Sequence, residues 1–224
     1  MPLLVIGNKN YSSWSLRPWL LLRHFGVAFD ELRLRLDTPE FHAEIDKWSP
    51  TRTVPVLHDE GLVVPDSLAI CEYANERWLD GRGWPADLRT RAKARAAAAE
   101  MHSGFRALRT QLPMNCRRKP DNYRWDASAQ ADMDRIQQLW RELRGEHADQ
   151  GALQEGEFLC GGFGIVDAMY APVVMRFVGY GVGLDDNAKR YVEAITALPA
   201  MREWFAAADA EGERIEATDN LVQA

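Results

Sequence analysis

The fold of this chain is decided by residues 3–26, LLVIGNKNYSSWSLRPWLLLRHFG. The apolar run Leu3–Ile6 ends at a glycine, which indicates a short strand buried on both faces. After the serines, the Leu-rich stretch 19–25 ends at Gly26 and predicts a helix with a glycine C-cap. Leucine then alternates with arginine over residues 32–36, as in a half-exposed strand. This order predicts two parallel strands joined by a right-handed helical crossover.

The next part of the chain predicts the rest of a small α/β domain. Residues 39–48 have the mixed pattern of a modest helix. Two apolar runs, 54–58 and 62–64, flank a Gly-containing turn and predict a β-hairpin. A further helix is predicted over residues 65–78. The predicted order βαβαββα assigns residues 1–80 to one α/β domain.

Beyond this domain the composition changes. Residues 81–88 contain glycine and proline, and we expect a linker there. Several later stretches are rich in helix-forming residues, with no convincing strand between them. These helical patterns cover residues 89–108, 132–143, 166–178, 189–197 and 201–209. Residues 89–224 are therefore predicted to form a second domain that is all helical.

The composition favours a protein that acts on a small molecule. The formal net charge of -6 argues against a nucleic-acid partner, which usually requires a basic excess. No apolar run approaches the length of a membrane span, and the first residues lack the pattern of a leader peptide. We therefore expect a cytoplasmic protein with neither a nucleic-acid nor a membrane partner.

The cysteines and histidines show no metal or redox pattern. Cys71, Cys116 and Cys160 are odd in number and far apart, so we expect reduced thiols and no disulfides. The five histidines, His147 among them, lack metal-ligand spacing, and no Gly-rich phosphate loop is present. The sequence thus predicts neither a metal ion nor a bound nucleotide.

Two positions leave a choice between a structural role and a role in ligand binding. Pro55 interrupts an otherwise good strand, where a central trans proline would delete a hydrogen bond. Either the strand lies at a sheet edge, or the Val54–Pro55 peptide is cis and turns the neighbouring backbone toward an extended peptide. Asp66 and Ser67 open a helix, where they fit an ordinary N-cap and equally a seat for the two charges of an amino-acid headgroup.

Three short motifs, in their order along the chain, resemble those of the glutathione S-transferase family. They are SSWSLR at residues 12–17, the segment 49–57 that contains Pro55, and DSLAI at residues 66–70. The first domain resembles the thioredoxin-like N-terminal domain of that family, and SSWSLR looks most like the zeta class and related serine-type bacterial members. The helical half resembles the family more weakly, through GIVD at residues 164–167. Gly164 replaces the usual Ser or Thr of this helix-capping motif, and we expect it to lower helix stability there.

The resemblance implies a chemical role for the serines. A serine hydroxyl at a helix N-terminus can donate a hydrogen bond to the sulfur of glutathione and favour the thiolate, which is the nucleophilic form. The family pattern places this hydroxyl at Ser12, with Ser13 as the second candidate. Ser15 ranks last because, as the helix N-cap, it would put Pro18 in the first turn, where proline is tolerated.

The resemblance also implies which residues hold glutathione, the expected co-substrate. The expected contacts are Thr53, Val54, Pro55, Asp66 and Ser67. The Val54 backbone would pair with the cysteinyl segment, and Asp66 with Ser67 would hold the γ-glutamyl end. Thr53 would add a neighbouring polar contact. His42 and Lys47 are available for the glycine carboxylate, although each fits a surface residue better.

The second substrate is expected to bind between the domains, against the first half of the long helix after the linker. The candidate contacts are Met101, Phe105, Arg106 and Met114. The apolar members of this set fit core packing better than a substrate wall. The basic run 117–119 fits a solvated surface better than an anion site.

The resemblance thus implies an enzyme, a homodimer, that activates glutathione as a thiolate for attack on a small electrophile. Two alternatives stay open. One is a glutathione-dependent cis–trans isomerase of the maleylacetoacetate type, and the other is a non-catalytic binding module with the glutathione transferase fold. A cysteine-based thiol transferase is disfavoured, because no cysteine occupies the turn between the first strand and the first helix.

Overall fold

The first domain is a four-stranded mixed sheet with helices packed on it. The computed structural model of the chain describes residues 1–145 and 157–221 in full and residues 146–149 by their backbone alone, so the side chain of His147 lies outside the described part. The strands are β1 (Leu3–Ile6), β2 (Asp30–Arg33), β3 (Val56–Asp59) and β4 (Leu62–Pro65), in the sheet order β2-β1-β3-β4. β1 and β2 are parallel, whereas β3 is antiparallel to both of its neighbours.

Three helices complete this domain. They are α1 (Ser13–His24), α2 (Pro39–Ile45) and α3 (Ser67–Arg77). The order βαβαββα and the thioredoxin-like fold class are therefore confirmed. β2 ends earlier than the leucine–arginine alternation predicts, because its pairing with β1 stops at Arg33 opposite Ile6. β3 begins at Val56, so Pro55 lies just before the strand and its missing N–H removes no bond of the sheet.

The second domain is helical, with two isolated β-bridges within residues 158–162. Its helices are α4 (Leu88–Ser103), α5 (Arg106–Gln111), α6 (Ala127–Asp149), α7 (Ile165–Tyr180), α8 (Asp186–Ala197), α9 (Pro199–Ala210) and α10 (Glu216–Asp219). The predicted helical class is confirmed. In the part of the chain that the structure describes, no helix is both long enough and apolar enough to cross a bilayer.

The helical pattern predicted over residues 89–108 is divided between α4 and α5. Phe105 has a left-handed backbone with φ 55°, a conformation that ends an α-helix. A Cβ atom on Gly104 would lie 2.7 Å from the Glu100 carbonyl oxygen, so the chain closes tightly at the break. The sequence pattern does not reveal this break because both sides of it contain helix-forming residues.

Helices α1 and α3 share one hydrophobic core with helices α4–α9 of the second domain. In β1, Leu4 and Ile6 point into this core, whereas Val5 belongs to a smaller cluster on the opposite face of the sheet. α1 packs against α3 of its own domain and against α7 of the second. Trp19 of α1 also meets Trp204 of α9 edge to face, with ring centroids 5.0 Å apart. Truncation of such a buried tryptophan to alanine typically costs about 3–5 kcal/mol, so the two domains stabilise each other.

The start of α7 is determined by a close contact with the linker. The Ile165 N–H donates to the Gly83 carbonyl oxygen at 2.8 Å, and a Cβ atom on Gly164 would lie 2.7 Å from that oxygen. Asp167 is fully buried and accepts hydrogen bonds from the N–H groups of Leu159 and Gly164. Burial raises the pKa of this carboxyl to about 7. The small local loss expected from glycine at this N-cap is therefore outweighed, because a larger residue would collide with the linker.

The interpretation of residues 117–119 as a solvated surface is wrong for two of the three residues. The Arg117 guanidinium donates to backbone oxygens of the C-terminal segment and to the Tyr11 hydroxyl. The Arg118 side chain is 10% exposed and donates to both carboxylate oxygens of Asp121. The third residue of the run is exposed.

Candidate active site

Helix α1 begins one turn earlier than predicted. Ser12 is its N-cap, because the Ser12 Oγ accepts from the Ser15 N–H at 3.3 Å and donates to the Ser15 Oγ at 2.7 Å. The prediction of Ser15 as the N-cap is wrong. Ser15 lies within the first turn, is fully buried and accepts a hydrogen bond from the Gly7 N–H at 3.1 Å. Pro18 therefore lies inside α1, where its missing N–H leaves the Trp14 carbonyl without the usual helical partner.

A cavity of about 250 Å³ brings the expected glutathione contacts together beside the first turn of α1. Its lining residues are Trp14, Thr53, Val54, Pro55, Asp66 and Ser67. The Val54–Pro55 peptide is cis, as the second interpretation of this proline required. Within the described residues, neither the N–H nor the carbonyl oxygen of Val54 has a hydrogen-bond partner. Both groups are therefore available to a peptide in the cavity.

Larger clefts exist elsewhere on the protein. One of about 440 Å³ lies between the linker and the loop before α7, and one of about 450 Å³ lies between residues 116–120 and α9. Neither is lined by the start of α1 or α3. Size alone therefore does not identify the site, and the chemistry of the lining favours the smaller cavity.

Asp66 is both a helix cap and a residue with an unfavourable backbone. Its Oδ1 accepts from the N–H groups of Leu68 and Ala69 at 2.8 and 3.3 Å, which makes it the N-cap of α3. Its φ of 77° is rare for residues other than glycine and costs about 1–3 kcal/mol. Its Oδ2 lies 3.4 Å from the Nε2 of His102 on α4. Because capping uses only the Oδ1 atom, Asp66 can cap α3 and still offer a carboxylate oxygen to the ammonium of an amino-acid headgroup.

The seat for a carboxylate at the start of α3 is smaller than predicted. Because Asp66 occupies two N–H groups of the first turn, the N–H and hydroxyl of Ser67 remain. The Ser67 hydroxyl accepts from the Nη1 of Arg17 at 3.2 Å and can donate its own hydrogen to a ligand. Arg17 is 1% exposed, and burial together with the nearby Arg109 lowers its pKa to about 9.

Trp14 is contacted by cationic side chains that were not among the predicted site residues. The guanidinium carbons of Arg17 and Arg109 lie 4.3 and 5.0 Å from its ring centroid. The His102 ring meets it edge to face at 5.2 Å. Burial lowers the pKa of His102, and the Asp66 carboxylate opposes this shift. The residues that line the cavity are thus backed by positive charge, which favours an anionic ligand.

Two of these residues could have been found from the sequence and two could not. Trp14 and Arg17 belong to the same short motif as the candidate serines, so their position in the turn was a usable signal. His102 and Arg109 lie in an Ala- and Arg-rich helical stretch with no local pattern of a site. They contact Trp14 only through tertiary packing, since α4 packs on α7 and α7 packs on α1.

The two candidate serines lie next to the cavity but do not line it. Ser12 and Ser13 are 6% and 9% exposed, and Trp14, which follows them, is a lining residue. The Ser12 hydroxyl is bound to Ser15. The Ser13 hydroxyl has no hydrogen-bond partner among the residues described.

The remaining candidates lie outside the cavity. His42 and Lys47 are exposed, and Lys47 forms an ion pair with Glu44 at 2.6 Å. Met101, Phe105 and Met114 are buried in the large core, as core packing predicts, whereas Arg106 is exposed. Over residues 1–145 and 157–221, no three His, Cys, Asp or Glu side chains are grouped as metal ligands would be.

Family models match both halves of the chain. The model of the glutathione S-transferase N-terminal domain matches residues 11–77, and that of the C-terminal domain matches residues 78–207. Among curated proteins, "Probable maleylacetoacetate isomerase" from Caenorhabditis elegans is 31% identical over 107 residues, which are 48% of this chain and 49% of that protein. The alignment therefore spans about half the length of this relative.

Solved structures extend the likeness to nearly the whole chain. A glutathione transferase homologue from Burkholderia gl BGR1, solved with bound glutathione, is 23% identical with a TM-score of 0.70, covering 94% of this chain and 99% of that one. Glutathione S-transferase unclassified 2 from Bombyx mori is 18% identical with a TM-score of 0.71, covering 99% of each chain. At these identities the likeness concerns the fold. Because the family models match the N-terminal and C-terminal domains in their proper order, this chain belongs to the glutathione S-transferase family.

Proposed function

We propose that this protein binds glutathione in the cavity beside Trp14 and transfers it to a small electrophile. The observation that carries the proposal is the unpartnered Val54 backbone at the cavity wall, opposite the start of α3. An extended cysteinyl segment can pair with Val54 as an added strand. The ammonium of the γ-glutamyl end can pair with Asp66, and its carboxylate with Ser67. The family of both domains supports this assignment, as does the glutathione bound to the Burkholderia homologue.

Ser12 is proposed as the hydroxyl that stabilises the thiolate. A thiol with an unperturbed pKa of about 8.5 is mostly protonated at neutral pH, and lowering that pKa by about two requires roughly 2.7 kcal/mol. A charge-assisted hydrogen bond and the N-terminus of α1 provide contributions of this size. The Ser12 O–H now donates to the Ser15 Oγ. Rotation about its Cβ–Oγ bond would direct it to the sulfur, while the Ser15 hydroxyl donates back to Ser12.

Alanine substitution of Ser12 tests this mechanism. We expect Ser12→Ala to lower kcat at neutral pH by about ten- to a hundredfold, because the thiolate fraction falls with each unit of pKa. The Kd for glutathione, measured by calorimetry, should change little, since Ser12 contacts only the sulfur. Ser13→Ala is the matched control. Loss of turnover in Ser13→Ala alone would transfer the role to Ser13, and full turnover in both variants would remove the serines from the mechanism.

Calorimetry of the parent protein separates an enzyme from a non-catalytic module. We expect glutathione to bind at millimolar or lower concentration. A parent protein that shows no binding heat in this range would instead be a module that has kept only the fold.

Isomerisation is a second candidate function, favoured by the relative named "Probable maleylacetoacetate isomerase". In such a reaction glutathione adds to a cis double bond and leaves after rotation, so it is regenerated. The positive charge behind Trp14 suits an acidic substrate as well as glutathione. Thiol consumption during turnover distinguishes the two functions, because only the transfer reaction consumes it.

We also propose a reducing, cytoplasmic environment. No disulfide joins Cys71, Cys116 or Cys160. Burial raises the pKa of Cys116 to about 12, which makes this thiol unreactive. Cell fractionation tests the location, and recovery of the protein outside the cytoplasmic fraction would contradict it.

A further inference from the structure

The C-terminal segment lies across the loop that precedes Ser12. We define the active-site loop as residues 8–11, between β1 and α1, and the strap as residues 211–219, after α9. The two segments are about two hundred positions apart in sequence. Even so, Lys9, Asn10 and Tyr11 each form a hydrogen bond with a residue of the strap. Nothing in the sequence pattern of either segment predicts this contact.

The first connection is the carboxylate of Glu211. Its two oxygens accept hydrogen bonds from the backbone N–H groups of Lys9 and Asn10, at 2.7 and 3.1 Å. The Glu211 side chain is 7% exposed, and the Arg33 guanidinium lies 3.6 Å from it. A buried carboxylate that accepts two backbone N–H groups forms strong, charge-assisted bonds. Glu211 thus fixes the backbone of the loop directly.

The second connection is the Tyr11 hydroxyl. It donates to the Asp219 carboxylate at 2.9 Å and accepts from the Ile215 N–H at 3.2 Å, both within the strap. It also accepts from the Nη2 of Arg117 at 3.0 Å. Tyr11 is 8% exposed, and its hydroxyl donates its one hydrogen to Asp219, so it has no hydrogen left to donate to a ligand.

The third connection is Arg117, which binds both segments. Its guanidinium donates to the carbonyl oxygens of Glu211 and Glu213, and its backbone N–H donates to the Asn10 Oδ1 at 3.0 Å. Arg117 therefore closes a network that joins the strap, the loop and the segment after α5. This network explains why the residue is not a solvated surface cation.

We infer that the strap, through Glu211, Tyr11 and Arg117, positions the active-site loop and with it the hydroxyl of Ser12. The active-site loop is tied to the N-cap residue of α1, because the Ser12 N–H donates to the Asn8 carbonyl oxygen at 2.8 Å. A catalytic hydroxyl must be held to within about 0.5 Å, which a short loop alone does not achieve. These three residues are positioning residues, since none lines the cavity. The consequence for the sulfur rests on the proposed function, whereas the hold on the loop does not.

The variant Tyr11→Phe tests this inference, because it removes one hydroxyl and leaves the ring in place. The matched control is Tyr123→Phe, whose hydroxyl donates to the Gln111 carbonyl oxygen, away from the loop. We expect hydrogen exchange of the Lys9 and Asn10 amides to become about tenfold faster in Tyr11→Phe alone. In the same variant, the pH midpoint of thiolate absorbance for bound glutathione should rise and kcat at neutral pH should fall. The Kd for glutathione should stay within about twofold of the parent value, because the strap does not contact the cavity.

The possible outcomes separate this inference from the proposed function. If amide exchange of Lys9 and Asn10 is unchanged in Tyr11→Phe, the strap does not restrain the active-site loop, whether or not kcat changes. Faster exchange with an unchanged thiolate midpoint and unchanged kcat would overturn the positioning of Ser12. A parent protein with no thiolate absorbance would contradict the proposed function, while the exchange data still decide whether the strap holds the loop. Glu211→Gln provides the same readouts if Tyr11→Phe does not fold.

Discussion

Asp66 binds the first turn of α3 with one carboxylate oxygen and has the second 3.4 Å from His102. Its backbone φ of 77° is unfavourable, and such residues persist where the surrounding structure holds them. The cap hydrogen bonds supply that restraint here. The carboxylate is therefore in place before a ligand arrives, which reduces the entropy lost on binding.

At this residue we predict a selective loss of affinity. Asp66→Asn should weaken glutathione binding by about tenfold or more, because a hydrogen bond to a charged group contributes about 1.5–3 kcal/mol. Asparagine caps helices about as well as aspartate, so α3 should remain intact. Titration calorimetry at neutral pH measures the change in Kd.

A glutathione analogue without the γ-glutamyl amino group provides the control for this prediction. The parent and Asp66→Asn should bind this analogue equally, since neither forms the ion pair. If the variant lost as much affinity for the analogue as for glutathione, Asp66 would act by shaping α3 and not by binding the ammonium.

Among the elements, the start of α7 shows how a tertiary contact can reverse a local preference. Serine is a good N-cap residue, but glycine is only a few tenths of a kcal/mol worse, so the local gain from a hydroxyl at position 164 is small. A Cβ atom there would meet the Gly83 carbonyl oxygen at 2.7 Å. Overpacking of this kind costs about 1–3 kcal/mol, and the steric cost therefore outweighs the capping gain.

We accordingly predict that Gly164→Ser destabilises the protein, although it restores the usual capping residue. The free energy of unfolding in urea should fall by about 1–3 kcal/mol. Gly162→Ser, in the same loop, is the control, because a Cβ atom on Gly162 has no neighbour within 4 Å. Equal or greater stability of Gly164→Ser would show that the linker can move aside.

For the whole molecule, the exposed apolar side chains are concentrated at positions that suit a contact between two copies. Leu62 and Val63 on β4 are 48% and 39% exposed, and Leu88 at the start of α4 is 70% exposed. β4 is an edge strand, and apolar side chains on an exposed edge favour association. We therefore propose that the expected homodimer forms through the β4 edge and α4.

The corresponding prediction concerns the mass of the particle in solution. The parent should sediment as a dimer of the 25.4 kDa chain, and Leu62→Lys should shift the equilibrium toward the monomer because it places a charge in the interface. Val178→Lys is the control, since Val178 is 42% exposed on α7, in the cleft beside α9. A parent that sediments as a monomer, or dissociation by Val178→Lys alone, would contradict the proposed interface.

The sequence by itself determined the order of the elements in the first domain, both fold classes and five of the six residues around the cavity, Trp14 being the exception. Strand alternation, the hairpin turn and the cap at Asp66 are local, so a single stretch of chain carries each signal. A proline within a strand is also a local signal, and it left two possibilities, an edge strand or the cis Val54–Pro55 peptide that the structure contains. Local capping did not decide the start of α1, because both Ser12 and Ser15 are good caps and only the buried bond from Gly7 to Ser15 separates them.

The tertiary structure alone decided which distant side chains reach the site. His102 and Arg109 contact Trp14, and the strap binds the active-site loop, through pairs of residues about ninety to two hundred positions apart, which no local pattern relates. The contact of Gly164 with Gly83 is of the same kind. The physical reason is that burial of one shared core brings these segments together, and their hydrogen bonds and steric limits follow from that packing.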